Sequence, residues 1–290
     1  MEQQQKEKGN LQRAFYRFRQ NTLSLVGLGI IIFMVMVAVF APFITPHPED
    51  VTGKIHLEKM YEPPSFPHPF GTDEAGRDVL SRVIFGSRIS LMLGLIVLSV
   101  AVGVGVPLGL FAGYLGGWAE VVFMRLTDIF LAIPSIVLAL VVSAVLSPSL
   151  PNSMFAIAFS WWPWYARLAY GETLSIKKED FVEVAESIGV SPLQIMIREI
   201  LPNIIPALIV KITLDMGFAI LTGAALGFLG LGAQPPTPEW GTLISIGRNR
   251  LPGVWWTSTF PGLGIFLTVM GFNLFGDGLR DFFDVETEAV

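Results

Sequence analysis

Charged residues along this 290-residue chain are bunched, and the apolar gaps between the bunches set its architecture. No Asp, Glu, Lys or Arg occurs in residues 20–48, 89–119, 129–166, 216–238 or 251–276. Each gap exceeds the roughly 20 residues that a helix needs to cross about 30 Å of hydrocarbon. As a single helix the 129–166 gap would run about 57 Å, far too long for one crossing, and Ser147-Pro148-Ser149-Leu150-Pro151-Asn152 reads as a turn inside it. The pattern therefore predicts six spans, at about 23–44, 89–115, 121–146, 153–171, 203–232 and 258–279. An even number puts both termini on one side.

Composition agrees. A hydrophobic fraction of 52%, a charged fraction of 15% and a mean hydropathy of +0.60 exclude an ordinary soluble domain. A net charge of −5 gives no global basic field to hold nucleic acid. With no cysteine, disulfide frameworks, thiolate metal sites and cysteine nucleophiles all fall away, and three histidines, His47, His56 and His68, offer little for a metal site.

Lys6, Lys8, Arg13, Arg17 and Arg19 precede the first span and predict a cytoplasmic N-terminus. On that reading Arg125, Arg167, Lys177, Lys178, Arg198 and Arg280 also lie inside, giving 11 basic residues against 7 outside. The first apolar stretch is longer than a signal-peptide core, and no small-x-small site follows it, so it reads as an uncleaved span. Leu11, Phe15 and Phe18 share a face at i, i+4 and i+7, as in a basic helix lying in the cytoplasmic interface. The expected organisation is a cytoplasmic segment (1–22), the first span (23–44), an extracytoplasmic segment (45–88), a core of five spans (89–280) and a cytoplasmic tail (281–290).

Motifs for chemistry are nearly absent. Gly71 and Gly76 have the spacing of a phosphate loop, but Arg77-Asp78 stand where Lys and Ser or Thr would reach the phosphates and magnesium. There is no catalytic constellation to nominate and no metal site. Gly105, Gly109, Gly113 and Gly117 recur every four residues and predict a packing seam for another helix backbone. Pro107, Pro134 and Pro163 inside spans imply a packed bundle. Ionisable groups within spans are costly: Arg125 and Asp128 are three apart, and Lys211 and Asp215 four apart, so each pair is placed for a same-face ion pair. Both a structural salt bridge and a polar group on a solute path stay open for them. Trp161, Trp162, Trp164 and Tyr165, ahead of Arg167, read as an interfacial aromatic belt.

Between spans 4 and 5, at about 177–202, Lys177-Lys178-Glu179-Asp180-Phe181-Val182-Glu183-Val184-Ala185-Glu186-Ser187-Ile188-Gly189 predicts a polar helix with a glycine stop. A second helix follows from Ser191-Pro192 to Leu201, before Pro202. Two short helices at the membrane face form a docking knob, with small Ala185 and Gly189 permitting close contact and Glu183 supplying charge.

This stretch resembles the EAA loop of ABC importer permeases. Glu183-Val184-Ala185, Gly189 and Ile200-Leu201-Pro202 match its pattern, with valine for the second alanine and Ile200 displaced by one. Phe70-Gly71-Thr72-Asp73-Glu74-Ala75-Gly76-Arg77-Asp78-Val79-Leu80-Ser81-Arg82 is similar to an outer segment of the dipeptide, oligopeptide and nickel permease group. So are Ala225–Gly232 with its continuation Gln234–Gly241, and the final span from Thr259 to Asp281. The resemblance is to the second of the two paired permeases, dipeptide-type proteins most of all.

It implies an all-α integral membrane protein of the type I importer permease fold, with six transmembrane helices and a cytoplasmic coupling loop, in a bacterial or archaeal cytoplasmic membrane. It implies a homologous second permease, two ABC ATPase subunits carrying ATP and Mg, an extracytoplasmic substrate-binding protein and a peptide substrate, with no cofactor and no catalysis on this chain. Glu183, Ala185, Gly189, Leu201 and Pro202 would meet the ATPases, while Asp128, Lys211, Asp215 and Thr222 are candidates for the pathway. Gln234–Trp240 is a candidate gate or receptor contact. The competing expectation is an ion-coupled secondary transporter using Lys211 and Asp215; no inverted repeat or paired broken helices support it.

Overall fold

The computed structural model describes residues 21–287, with side chains to residue 283; the basic interfacial helix expected near residues 11–18 lies outside them. The described residues are helical apart from turns, loops and one isolated bridge between Thr72 and Asp78. The helices are α1 (Thr22–Ile44), α2 (Val79–Leu115), α3 (Gly117–Leu131), α4 (Ser135–Val145), α5 (Leu150–Ile176), α6 (Asp180–Ser187), α7 (Pro192–Ile195), α8 (Leu201–Phe228), α9 (Trp240–Gly247) and α10 (Trp256–Thr287).

Local chemistry explains the helix starts. Asn21 accepts the Ser24 amide at 3.3 Å, Asp78 the Ser81 amide at 2.7 Å and Ser149 the Asn152 amide at 3.3 Å, each satisfying an amide that the first turn leaves free. Four helical stretches are long and apolar enough to cross a membrane: α1, α2, α10 and the run Pro192–Phe228. A fifth is counted if α3 and α4 are taken together. Helix α5, 27 residues and about 40 Å long, has the length for a sixth but carries Asn152, Ser153, Ser160, Arg167 and Glu172.

Three expectations need correction. The stretch 121–146 is not one straight span, because α3 and α4 meet at 85°. Pro134, with φ −53° and ψ 123°, has no amide to donate and disfavours helix at Ile133, so the axis breaks there. The tryptophans of α5 do not form an interfacial belt: Trp161, Trp162 and Tyr165 are buried and only Trp164 is half-exposed. Gly117 lies outside the glycine seam, at the start of α3 with φ +56° and open space around it.

The other three glycines of that strip lie against α5. A Cβ on Gly105 would come within 2.7 Å of Tyr165 Cβ, on Gly109 within 2.8 Å of Ala169 Cβ, and on Gly113 within 2.8 Å of Thr173 Cβ, and the first two would also strike the carbonyls of Trp162 and Ala166. Helix α5 answers with its own small residues, Ala158, Ala166, Ala169 and Thr173, all buried. Two helices without bulky side chains between them can bring their backbones together, which is how association is gained where lipid removes the hydrophobic drive. A second close contact joins the first and last spans, since a Cβ on Gly27 would sit 2.6 Å from the Phe275 amide. Asn21 Nδ2 donates to Asp281 at 3.3 Å, so the start of α1 and the end of α10 share one end of the bundle.

At the opposite end, residues 45–78 fold into a lobe on the mouth of the bundle. Trp256 Nε1 donates to the Thr72 carbonyl at 3.1 Å, and Arg82 reaches the Pro236 carbonyl at 3.4 Å.

The seam predicts opposite outcomes for two alanine substitutions in α2. Gly109→Ala should lower thermal stability in detergent by about 1–3 kcal/mol through overpacking, whereas Gly103→Ala, which faces open space, should stay within about 0.5 kcal/mol of the parent. Equal melting behaviour of the two variants would contradict backbone contact at Gly109.

Candidate functional site

Two regions carry the chemistry. The first is the knob between α5 and α8. Helix α6 ends where Val190 N donates to the Ala185 carbonyl at 3.1 Å around Gly189, whose φ of +82° is the left-handed conformation glycine adopts freely. Val182, Ile195, Met196 and Ile200 are buried beneath the knob, and Ala185 and Leu201 pack partly buried against the same cluster. Outward, Glu183 is exposed beside Val184 at 59% and Ile188 at 75%, with Phe181, Leu193 and Ile197 also exposed. This apolar surface with acidic groups is the kind that a protein partner covers.

The second helix of the knob is not a separate element. Helix α7 runs through a π turn, Met196–Ile200, directly into α8. Pro202 explains the widened turn: it cannot donate to the Arg198 carbonyl and its ring would press on that group, so the chain opens and Leu201 N donates to Met196 O instead. Pro202 itself is exposed at the second position of α8. The root of the knob is held by Lys177 at the end of α5, whose Nζ donates to the Tyr114 carbonyl at the end of α2 at 2.6 Å. An ammonium at a helix C-terminus satisfies a free carbonyl and favours the dipole.

The second region lies between α5 and α8. Lys211 Nζ donates to both oxygens of Asp215 at 2.8 Å, and Tyr165 OH donates to Asp215 Oδ2 at 2.8 Å, with the ammonium 5.8 Å from the Tyr165 ring centre. Asp215 is 11% exposed at its side chain and Lys211 35%, so the carboxylate is enclosed and the ammonium opens outward. Thr222 is half-buried, two turns further along the same face of α8. Asp128 belongs to a different pair: it meets Arg167 of α5, not Arg125 three residues before it. Arg167 and Tyr165 thus tie α5 to α3 and α8 respectively. Nothing local in the sequence signals either contact, because the partners are 39 and 50 residues apart.

At the lobe end of the bundle, Gln234–Glu239 forms a loop that leads into Trp240 at the start of α9. Glu239 is buried and caps α9, accepting the Gly241 amide at 2.8 Å and the Thr242 amide at 2.9 Å; burial pushes its carboxyl up against those bonds. Trp240 is fully buried and donates to the Val83 carbonyl at 3.0 Å. In the adjoining lobe Asp73 accepts from the Arg77 amide and Nε and lies 3.4 Å from Arg82 Nε. Burial and Asp73 push the Glu74 carboxyl up.

A helical bundle with close glycine seams, a mouth covered by a lobe at one end and a knob continuous with a long apolar helix at the other has the architecture of a membrane protein. The chain belongs to the family of binding-protein-dependent transport system inner membrane components, whose model matches residues 105–287. Residues 9–64 match the N-terminal transmembrane domain of oligopeptide transport permease C. The probable D,D-dipeptide transport system permease protein DdpC of Escherichia coli K12 is 43% identical over 97% of this chain and 93% of its own. The dipeptide transport system permease protein DppC of Alkalihalophilus pseudofirmus is 42% identical over 95% and 90%. The glutathione transport system permease protein GsiD of Escherichia coli is 41% identical over 92% and 88%. Among solved structures, inward-facing MetNI methionine ABC transporter shares the fold with a TM-score of 0.55 at 20% identity, covering 70% of this chain and 95% of that one. This is an ABC importer permease of the dipeptide, oligopeptide and nickel group, and the ion-coupled alternative has no support.

The Lys211 and Asp215 pair predicts non-additive mutational effects. Lys211→Met and Asp215→Asn each break the pair and leave one partly buried partner behind, so the two losses should sum to more than that of the double change Lys211→Met/Asp215→Asn. A thermal-unfolding cycle should give a coupling of about 1–3 kcal/mol, and simple additivity would contradict the pair.

Proposed function

We propose that this chain is one half of the translocation pathway of an ATP-driven importer for dipeptides or oligopeptides, working beside a homologous second permease. Two ABC ATPase subunits, which hold ATP and Mg, dock on the knob at Glu183, Ala185 and Gly189, and an extracytoplasmic binding protein delivers solute at the outer mouth. The permease itself hydrolyses nothing. The observation that carries this reading is the continuity of the knob with the bundle: Pro192–Phe228 is one helical run of 37 residues, about 55 Å long. A displacement of the knob is therefore handed directly to the helix that carries Lys211, Asp215 and Thr222.

The coupling acts as a bias on two bundle arrangements, with nucleotide-driven movement of the ATPases favouring each in turn. Leu201 and Pro202, beside the π turn, sit where that movement enters α8. Both described ends of the chain share an end of the bundle, and the excess of lysine and arginine on the knob side supports a cytoplasmic position for the knob and both termini. The relatives named for transport of D,D-dipeptides, dipeptides and glutathione support a short peptide as the solute.

Glu183→Lys tests the docking assignment, since the position is exposed and reversal of charge leaves the fold intact. In cells carrying the complete transporter, uptake of labelled dipeptide should fall by about tenfold or more, about 1.4 kcal/mol in coupling terms, with unchanged abundance in the membrane. Uptake and ATPase stimulation equal to the parent would refute the docking role of α6.

A further inference from the structure

The outer lobe gathers two of the chain's three histidines into a place that sequence spacing did not suggest. One ring nitrogen of His47, one of His68 and one carboxylate oxygen of Asp78 all lie within 4.8 Å of one another. His68 and Asp78 are buried, and His47 is about one-third exposed. The His68 Nδ1 to Asp78 Oδ1 distance is 3.0 Å. Ligand atoms of a tetrahedral zinc ion, with bonds near 2.0–2.2 Å, stand about 3.3 Å apart, so this pair needs to open by only a few tenths of an ångström. His47 must swing by about an ångström to complete the set, a side-chain movement that its partly exposed position three residues beyond α1 allows.

The surroundings of His47 and Asp78 fit ligation. The Pro67 carbonyl lies 3.2 Å from His47 Nε2 and Glu49 Oε1 lies 3.7 Å from Nδ1, so whichever nitrogen ligates, the other has an acceptor for its proton and the ring is oriented. Asp78 Oδ2 accepts the Ser81 amide at 2.7 Å and the Ser81 hydroxyl at 2.6 Å, so the carboxylate is fixed and Oδ1 faces the histidines. Metal ligands characteristically carry such second hydrogen bonds, which set ring orientation and carboxylate direction. Two imidazoles and a carboxylate suit a borderline first-row divalent ion, and the exposed side of His47 leaves a position for water.

We propose that His47, His68 and Asp78 form a binding site for a divalent transition-metal ion, with zinc as its representative, on the outer lobe of the permease. The three ligands come from the segment after α1, the middle of the lobe and the residue that caps α2. A bound ion would clip the end of the first span, the lobe and the start of the second span into one arrangement. The site is independent of the knob and of the solute carried.

The test uses the full chain without a histidine tag, stripped with a chelator and held in lipid nanodiscs. Zinc titration should show one ion bound per chain and a rise in melting temperature with added zinc. His47→Ala, at an exposed position, and His68→Gln should each weaken zinc binding by about tenfold or more and abolish the thermal shift. His56→Ala serves as the control, because His56 pairs with Asp50 at 3.1 Å outside the cluster, and it should bind as the parent does. No stoichiometric zinc on the parent, or equal affinity of the parent and His47→Ala, would overturn the site and leave His68 and Asp78 as a hydrogen-bonded pair alone.

Discussion

Lipid supplies neither a hydrogen-bond partner for the backbone nor a hydrophobic drive between helices, so a bundle gains stability only by close and complete packing. Here that requirement is met where α2 lies against α5. Three glycines on α2 leave the backbone bare, and the alanines and Thr173 of α5 fill the space so tightly that a single added carbon would collide at each glycine. Everything polar near the centre depends on this contact. It places Tyr165 where its hydroxyl reaches Asp215, and Arg167 where it meets Asp128. Ionic groups that would be costly in hydrocarbon are thereby paired between helices.

The same contact fixes α2 to α5 over three turns of helix. Helices α2 and α5 are fastened along the seam and again at their inner ends by Lys177. The knob that follows is joined to α8 by a widened turn with no break in the helix. The knob is thereby continuous with α8 on one side, and its root is tied to α2 through Lys177 on the other. The 85° break between α3 and α4 lies at the other side of α5, where Phe130 packs edge-on against Phe159 and Trp162 at 5.3 Å. Aromatic packing of this kind anchors the end of α3 on α5, while Ala132, Ile133 and Pro134 at the break itself are exposed.

Charge at the outer end obeys a different rule. Asp73, Arg77, Asp78 and Arg82 are buried in the lobe and its junction with α2, a placement sustained only because each is paired or hydrogen-bonded to its neighbours. Gly76 belongs to this network, not to a phosphate loop: its φ is +72°, and a side chain there would strike the His56 carbonyl. The lobe is a small polar core laid over a greasy one, and Trp256 to the Thr72 carbonyl and Arg82 to Asp73 are the bolts between them.

The sequence by itself determined what local periodicity and solvent demand determine: where the apolar runs lie, that the polar stretch near 177–202 is helical and stops at Gly189, that Lys211 and Asp215 share a face, and that the glycine strip is a face without side chains. These follow from hydropathy, backbone freedom and helical spacing, all short-range properties. Only the tertiary structure decided which groups meet across distance. It showed that Asp128 takes Arg167 over nearby Arg125, that Tyr165 bonds Asp215, that Trp161 and Trp162 turn inward, and that His47 and His68 come together beside Asp78. It also decided that the expected third span breaks at Pro134 and that the knob continues into α8 through Pro202, since a proline's effect depends on whether neighbouring helices can satisfy the carbonyls it frees.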